Sequence, residues 1–367
     1  MLDFLGVRRR EIRQFSMQSG DMTQPANNPS PTNLGNHKGV IFSGMRPTGL
    51  LHLGNYMGAL QNWVALQEDY SCIYCAVDIH ALTTVESAEE TRAIRPNIED
   101  MVLDWLAAGI DPEKSIVFVQ SHVPEVMTLH TLLSMVTPLG WLTRVPTFKD
   151  KVRQMHETEE TVNYGLVGYP VLQTADIILY KADTVPVGQD QVPHIELSRE
   201  IVRRFNNLFG KTFPEPQAKL TEAPLLVGLD GKNKMSKTLN NHLDLAATPE
   251  ETTQRVLTAF TDPERVRREI PGRPEVCNVY SLHKIFSGAE ATSTVYSECT
   301  TAQRGCVDCK RHLAESINDY LKDFRARRED IKARPGYVQE ILHEGGKKAR
   351  AIAVETMAEV YQKMGLG

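Results

Sequence analysis

From Val40 onward the chain alternates short apolar runs with longer amphipathic stretches. Two of the runs, residues 72–77 and 115–120, have the length and composition of buried strands. Strands that alternate with amphipathic helices are typical of a parallel sheet with helices on both faces. The pattern therefore predicts an α/β fold with a Rossmann-like, doubly wound parallel sheet.

Two helix starts are marked by their capping residues. Residues 87–90 form a capping box that predicts a helix ending near Gly109, with a kink or break at Pro96. A second start lies at residues 248–251, where Thr248 is the predicted N-cap and a proline follows it. Beyond it the pattern is mostly helical, so we place a boundary near residue 245, between a domain at 38–245 and a helical domain at 246–367.

Residues 1–37 differ from the rest of the chain. Residues 18–36 are rich in Pro, Asn, Ser and Gly, and we interpret the whole segment as a disordered tail or linker. It has no apolar core of a secretion signal. Asp3 and Glu11 depart from the acid-poor pattern of a transit peptide.

The composition is that of an ordinary globular protein. Of 367 residues, 41% are hydrophobic and 24% are charged. No apolar run approaches the roughly 20 residues of a membrane span. We therefore predict a cytoplasmic protein that binds no membrane. The net charge of −5 does not by itself indicate a nucleic-acid-binding protein.

The first segment with candidate chemistry is residues 40–58. A short strand leads into a turn that contains Gly44 and Gly49, and an amphipathic stretch begins at about Leu53. A helix that starts after such a turn presents free backbone N–H groups to an anion. His52 and Asn55 carry donors for phosphate oxygens. Taken alone, an ordinary strand-to-helix turn is the favoured interpretation.

The second segment is Lys234-Met235-Ser236-Lys237-Thr238, after a polar loop that contains glycines. Three lysines within six residues form a cationic loop that can close on a triphosphate. Lysine-rich loops are usually solvated surface loops, and this segment alone would be interpreted as one.

Together, His52-Leu53-Gly54-Asn55 and the lysine segment, about 180 residues apart, resemble the paired ATP-binding signatures of class I aminoacyl-tRNA synthetases. Further segments at 77–81, 169–180 and 185–191 extend the likeness over nearly the whole chain beyond the tail. The chain resembles the bacterial tryptophanyl-tRNA synthetases. This resemblance implies activation of L-tryptophan with ATP and Mg²⁺, transfer to tRNA(Trp), a homodimer, and an anticodon-binding role for residues 246–367.

The resemblance also implies site residues. It assigns ATP binding to Arg46, Pro47, Thr48, Gly54, Asn55, Gly188, Gln189, Asp190, Leu225, Lys234, Met235, Ser236, Lys237 and Thr238. The catalytic residues among these are Lys234, Lys237 and Asn55, together with His52. It assigns tryptophan binding to Asp176, Gln191, Tyr169 and His80, and places Lys149 and Lys151 near the triphosphate.

Three residues depart from the general pattern. Asn55 ends the first signature in place of histidine, as is usual for this subfamily, Arg46 stands where glutamine is common, and Gln173 stands where methionine is common. The tryptophan assignment depends mainly on Asp176, since an indole N–H needs an acceptor. The alternative for Asp176 is a helix cap. Because a tyrosine hydroxyl is also a donor, a tyrosine-activating enzyme remains an alternative, as does a synthetase-like regulatory protein that binds tryptophan or RNA.

The six cysteines divide into two groups. Cys72 and Cys75 lie on opposite faces of a predicted strand and are interpreted as core residues. Cys277, Cys299, Cys306 and Cys309 predict a metal site, because clustered thiols in a protein of this class suggest ligands rather than disulfides. Some bacterial tryptophanyl-tRNA synthetases have a similar spacing around a [4Fe–4S] cluster. We favour that cluster over Zn²⁺, which also suits four cysteines.

Overall fold

The computed structural model describes residues 37–85, 87–145, 148–149, 152–153, 161–221 and 226–366. Its strands are β1 (Val40–Met45), β2 (Ser71–Ala76), β3 (Ser115–Val119), β4 (Thr184–Val187) and β5 (Gln217–Leu220). All pair in parallel in the order β3-β2-β1-β4-β5. The predicted Rossmann-like sheet is confirmed, and its strand order reverses between β1 and β4.

Helices surround this sheet. They are α1 (Leu53–Asn55), α2 (Gln61–Leu66), α3 (Asp78–Ala81), α4 (Ala88–Ala108), α5 (Glu125–Ser134), α6 (Leu139–Leu142), α7 (Tyr164–Leu179), α8 (Val192–Phe209), α9 (Pro249–Leu257), α10 (Asn278–Phe286), α11 (Ala289–Thr300), α12 (Cys306–Lys332) and α13 (Tyr337–Met364). The described region after residue 245 is mostly helical, as predicted. The position of the boundary itself stays a prediction.

Local sequence determines several helix ends. The hydroxyl of Ser87 accepts a hydrogen bond from the Glu90 N–H at 3.2 Å, and α4 ends at Gly109, whose φ of 115° suits glycine. Thr248 caps α9 through a complete capping box with Glu251. Pro96 does not break α4, which runs through it. Packing of the buried C-terminal half of α4 outweighs the helix-breaking tendency of one proline.

The pleat of β2 directs its residues into two separate cores. Cys72 and Tyr74 pack on one face of the sheet, with residues of α2, α4 and α12. Ile73 and Cys75 pack on the other face, with residues of α5, α7 and α8. The predicted opposite orientation of Cys72 and Cys75 is thus confirmed, and both are buried and unpaired.

Helix α13 returns from the helical region to cover the edge strand β3. Its Ile341 contributes to one core and its Ala349 to the other. Between them Gly345 lies so close to the strand that a Cβ would stand 1.9 Å from the carbonyl oxygen of Val117. Only glycine permits this approach, which covers an otherwise open sheet edge.

Candidate active site

A cavity of about 430 Å³ opens at the carboxyl ends of β1 and β4. This is the point at which the strand order reverses, where open α/β sheets bind their ligands. The predicted site residues that line it are Arg46, His80, Tyr169, Asp176, Gly188 and Gln191, and Gln173 lies beside them.

Arg46 supplies a cation to the cavity wall. Its guanidinium donates to the hydroxyl of Thr84, while Nε is buried and has no hydrogen-bond partner among the described residues. Burial lowers the pKa of Arg46 from its usual value. An arginine remains protonated near neutral pH all the same, so the cavity holds a fixed positive charge with a spare donor.

The turn after β1 is closed by the residues of the first signature. The backbone N–H of His52 donates to Oδ1 of Asn55 at 3.0 Å, so this asparagine fixes the start of α1. Burial, helped by the charge of Lys237, lowers the pKa of His52 to about 4, and the ring is neutral near pH 7. A π-helical turn, Tyr56–Leu60, follows, and such turns are frequent at functional sites.

The second signature packs against the first. The ammonium of Lys237 donates to the carbonyl oxygen of Thr48 at 3.3 Å. The backbone N–H of Leu53 donates to the carbonyl of Leu243 at 2.9 Å, and Leu245 N–H to Leu51 at 2.8 Å. The structure therefore brings together two segments that are far apart in sequence.

Within the lysine loop the side chains have different surroundings. Met235 is buried against Gly54 and anchors the loop. Lys237 is half-buried, and this burial lowers its pKa. Lys234 and Thr238 are exposed, and Ser236 is half-buried. A loop that is held in place by a buried methionine and that presents accessible lysines is suited to binding a phosphate chain.

Gly188, Gln189 and Asp190 are exposed at the end of β4. A Cβ on Gly188 would stand 2.8 Å from Oδ1 of Asp190, so a side chain at position 188 would displace this carboxylate. Nε2 of Gln191 donates to Oδ2 of Asp190 at 2.9 Å. Leu225 and Lys151 lie outside the described residues, and Lys149 is exposed and does not line the cavity.

At its inner end the cavity holds a buried carboxylate. Asp176, only 3% exposed, lies inside α7, whose N-cap is Asn163, so a capping role for Asp176 is excluded. Its Oδ2 lies 2.8 Å from Nε2 of His80. The hydroxyl of Tyr169 is 3.4 Å from Nε2 of His194. A buried acceptor at the end of an apolar pocket is suited to a ligand that ends in a donor.

Sequence reasoning missed Gln120, which together with His80 holds Asp176. Its Nε2 donates to Oδ1 and Oδ2 of Asp176 at 2.8 and 2.9 Å. Gln120 is 1% exposed and follows directly on β3. A polar residue at the carboxyl end of a parallel strand was the available signal, since side chains there converge on the ligand crevice.

The four C-terminal cysteines lie at helix ends and do not line the cavity. Cys277 precedes α10, Cys299 is near the end of α11, and Cys306 and Cys309 form the first turn of α12. Burial, with a smaller contribution from the neighbouring Cys277, raises the pKa of Cys309 to about 12.

The surroundings of Cys299 are relevant to whether the four cysteines could bind a metal. The guanidinium of Arg265 lies 3.5 Å from Sγ of Cys299, and a Cβ on Gly272 would stand 2.5 Å from the same sulfur. Glycine at 272 therefore lets the backbone approach this thiol closely. Across the described ranges, however, no group of three or more His, Cys, Asp or Glu side chains is arranged to hold a metal ion.

In the part of the chain that the structure describes, no helix has both the length and the apolar character needed to cross a bilayer.

Comparison with known proteins agrees with this geometry. The family model of tRNA synthetases class I (W and Y) matches residues 34–322. The tryptophan–tRNA ligase of Thermotoga maritima is 47% identical over 328 residues, which cover 89% of this chain and 99% of the relative. That of Deinococcus radiodurans is 46% identical, with 89% and 98% covered.

Among solved structures, tryptophanyl-tRNA synthetase from Campylobacter jejuni, in complex with ADP and tryptophan, superimposes with a TM-score of 0.81. It is 34% identical, and the match covers 89% of this chain and all of the other. The matches extend over the sheet, both signatures and most of the helical region. The chain therefore belongs to the W and Y family of class I tRNA synthetases, within its tryptophanyl branch.

Proposed function

We propose that this protein is a tryptophan–tRNA ligase, which activates L-tryptophan with ATP and transfers it to tRNA(Trp). The main support for this proposal is the buried Asp176 carboxylate, which lines the cavity. The two ATP-binding signatures lie beside this cavity and are in contact with each other. An indole N–H satisfies such an acceptor, whereas phenylalanine would leave it unpaired. A site built around one hydrogen bond can reject the analogue that lacks it by about 10⁴–10⁵-fold.

In the first step the tryptophan carboxylate attacks the α-phosphorus of ATP, and pyrophosphate leaves. A carboxylate is already a nucleophile at neutral pH, so the residues need only position the reactants and stabilise charge. Mg²⁺, when bound to the phosphates, would neutralise part of their charge.

The positions of the predicted site residues suggest which part of ATP each of them binds. We propose that Lys234 and Lys237 bind the triphosphate of ATP, and that Arg46 and the neutral His52 ring contribute to this binding. We assign the nucleoside to the exposed segment 188–190. We assign backbone or loop-closing contacts to the remaining predicted ATP-binding residues that the structure describes: Pro47, Thr48, Gly54, Asn55, Met235, Ser236 and Thr238. Leu225, outside the described residues, keeps its predicted place beside the adenine.

For tryptophan we propose recognition by Asp176, with His80, Tyr169 and Gln191 around it. Gln173 also faces this cavity and offers a polar group where relatives commonly have methionine. Tyrosine is the natural competitor because its hydroxyl is also a donor. A regulatory protein without ligase activity is the other alternative, and the presence of both signature lysines favours the enzyme.

Charging of a tRNA(Trp) transcript with labelled tryptophan tests the full reaction. We expect charging that requires ATP and tryptophan, with tRNA(Tyr) as the matched negative control. Preferential charging of tRNA(Tyr) with tyrosine would establish the first alternative. Tryptophan binding without charging of either tRNA would establish the second.

We further propose that the protein is a homodimer. The exposed apolar side chains of Leu82, Met127 and Tyr164 line one groove of about 250 Å³, and Tyr164 is 66% exposed. Exposed apolar surface of this kind is typical of an interaction site. A second copy is the occupant that family analogy favours.

Replacing Met127 with glutamate is expected to raise the dimer Kd by at least about tenfold, because a buried unpaired charge opposes association. Light scattering after size exclusion measures the mass. The control is Val354→Glu, at a similarly exposed apolar position on α13. A Met127→Glu protein that remains as dimeric as the control would contradict this interface.

For Cys277, Cys299, Cys306 and Cys309 we propose a structural [4Fe–4S] cluster, with Zn²⁺ as the alternative. Their spacing in the sequence, which resembles that of cluster-binding tryptophanyl-tRNA synthetases, supports the proposal, although their arrangement in the described residues is not that of a formed metal site. A cluster would supply rigidity to the ends of α10, α11 and α12, since the proposed reaction has no redox step.

Anaerobic purification followed by iron, sulfide and zinc analysis distinguishes the candidates. We expect about four irons and four sulfides for each chain, lost in Cys306→Ser but retained in Cys72→Ser, whose thiol is buried elsewhere. Zinc without iron would establish the alternative. A metal-free protein would exclude both.

The helical region 246–367 is proposed to bind the tRNA anticodon, by family analogy. The cytoplasmic location also stays a prediction.

A further inference from the structure

The side chain of Gln120 makes four hydrogen bonds: two with backbone N–H groups and two with the Asp176 carboxylate, which lines the cavity. Its Oε1 accepts from the N–H groups of Ile79 and His80 at 3.1 and 3.3 Å. On the other side, Nε2 donates to both oxygens of Asp176. The side chain is 1% exposed, so water does not replace these bonds easily.

The orientation of the amide is fixed by its partners. Backbone N–H groups only donate, so the atom that faces Ile79 and His80 must be the oxygen. The NH₂ group must then face Asp176. If the amide were reversed, NH₂ would face two N–H donors, and the oxygen would face a carboxylate.

This orientation in turn fixes the Asp176 carboxylate. The amide NH₂ group holds its two oxygens, and the proton on His80 Nε2 holds Oδ2. Among the described residues, Oδ1 accepts one hydrogen bond, from Gln120, and it therefore keeps acceptor capacity for a ligand. The carboxylate therefore cannot rotate freely and has one preferred place for an incoming donor.

We propose that Gln120 is a positioning residue that sets the selectivity for the amino-acid side chain, an inference that rests on the proposed tryptophan site. It acts through Asp176 by holding the acceptor toward an indole N–H. The hydroxyl of tyrosine would reach the pocket at a different position from the indole N–H. To accept a hydrogen bond from it, the Asp176 carboxylate would have to turn and would lose hydrogen bonds to Gln120. Discrimination between the two amino acids thus depends on this amide.

Gln120→Glu tests the donor without changing the volume. The introduced side chain keeps an oxygen for the Ile79 and His80 N–H groups but replaces NH₂ by a second carboxyl oxygen facing Asp176. Two carboxyl groups at hydrogen-bond distance share one proton, and the affinity of the pair for that proton is strongly raised. In acid, the introduced carboxyl group would donate to Asp176 as the amide does. In base the two anions would repel.

The predicted signature is therefore a new pH dependence of tryptophan binding. Calorimetry at pH 6.0 and 8.5 is expected to show a Kd that rises at least about tenfold with pH in Gln120→Glu, and by less than about twofold in the wild type. The tryptophan-to-tyrosine preference is expected to fall over the same range. Among the described residues, the ionisable side chains that lie near Asp176 in both proteins are Cys75, His80, His130 and Tyr180.

Gln67 offers a matched control at the opposite end of β3. It is 4% exposed, and its oxygen accepts from Asp111 N–H and from the Ser115 hydroxyl at 2.8 and 2.9 Å. Gln67→Glu is expected to lower the melting temperature but to leave the pH dependence of tryptophan binding as in the wild type. A purely structural role for Gln120 would make the two variants alike.

Gln120→Met keeps the test decisive if the glutamate variant does not fold. It removes the donors without adding charge, so the tryptophan Kd is expected to rise about tenfold at both pH values. The inference is overturned if a folded Gln120→Glu or Gln120→Met protein keeps the wild-type Kd and amino-acid preference. Wild-type protein that binds tryptophan without exchange or charging would instead contradict the proposed function, and the binding comparison would still decide the role of Gln120.

Discussion

Asp176→Asn is expected to lower kcat/KM for tryptophan activation by about 10³-fold. Leaving a buried hydrogen-bonding group without its partner costs about 1–3 kcal/mol, and more when the lost partner is charged. Here the new NH₂ group would face either the Gln120 amide or His80 Nε2, both of which donate to Asp176 in the wild type. The indole N–H would also lose its charged acceptor.

Steady-state pyrophosphate exchange measures this effect, with the ATP KM as an internal reference. Asp262→Asn is a suitable control, since that carboxylate is 5% exposed and is held by Arg273 outside the cavity. The control is expected to lose stability but to keep its activity per folded molecule. If Asp176→Asn retained kcat/KM within about tenfold of the wild type, Asp176 would not be the acceptor for tryptophan.

Lys237→Ala is expected to lower kcat for adenylate formation by about 10²–10³-fold while tryptophan affinity changes little. Removing one donor that stabilises developing charge has an effect of this size. In the structure Lys237 reaches the first signature at the Thr48 carbonyl, so its ammonium is already held over the turn that the triphosphate is proposed to occupy. Its contribution should be greatest as pyrophosphate departs.

Lys232→Ala provides the matched control, because this lysine is exposed in the same loop but is not among the proposed ATP contacts. Its kcat is expected to stay within about twofold of the wild type. Burst experiments that separate chemistry from product release would confirm which step is slowed in Lys237→Ala. Equal losses in kcat and in tryptophan affinity would rule out a transition-state role for Lys237.

Features encoded in neighbouring residues could be predicted from the sequence. The caps at Ser87 and Thr248 define their own helix starts, and the pleat of a strand decides the faces of Cys72 and Cys75. The two signatures indicated an ATP site because, as a pair, they resemble those of class I aminoacyl-tRNA synthetases, whereas each alone would be interpreted as an ordinary turn or loop. The fold class followed from the alternation of strands and helices.

Features that depend on distant contacts could not be predicted. The return of α13 to β3 requires a glycine at position 345, but nothing near Gly345 identifies Val117 as its partner. Similarly, Gln120 is 56 residues from Asp176, and its role appears only when the ends of β3 and α7 meet. The π-helical turn after Asn55 has no clear local signal either.

The central claim is that one cavity activates tryptophan with ATP, and amino-acid-dependent ATP–pyrophosphate exchange tests it most directly. Tryptophan, tyrosine and phenylalanine should be compared on the same preparation. We predict exchange with tryptophan, far weaker exchange with tyrosine, and none above background with phenylalanine. Exchange that is fastest with tyrosine, or absent with all three despite measurable tryptophan binding, would contradict the account.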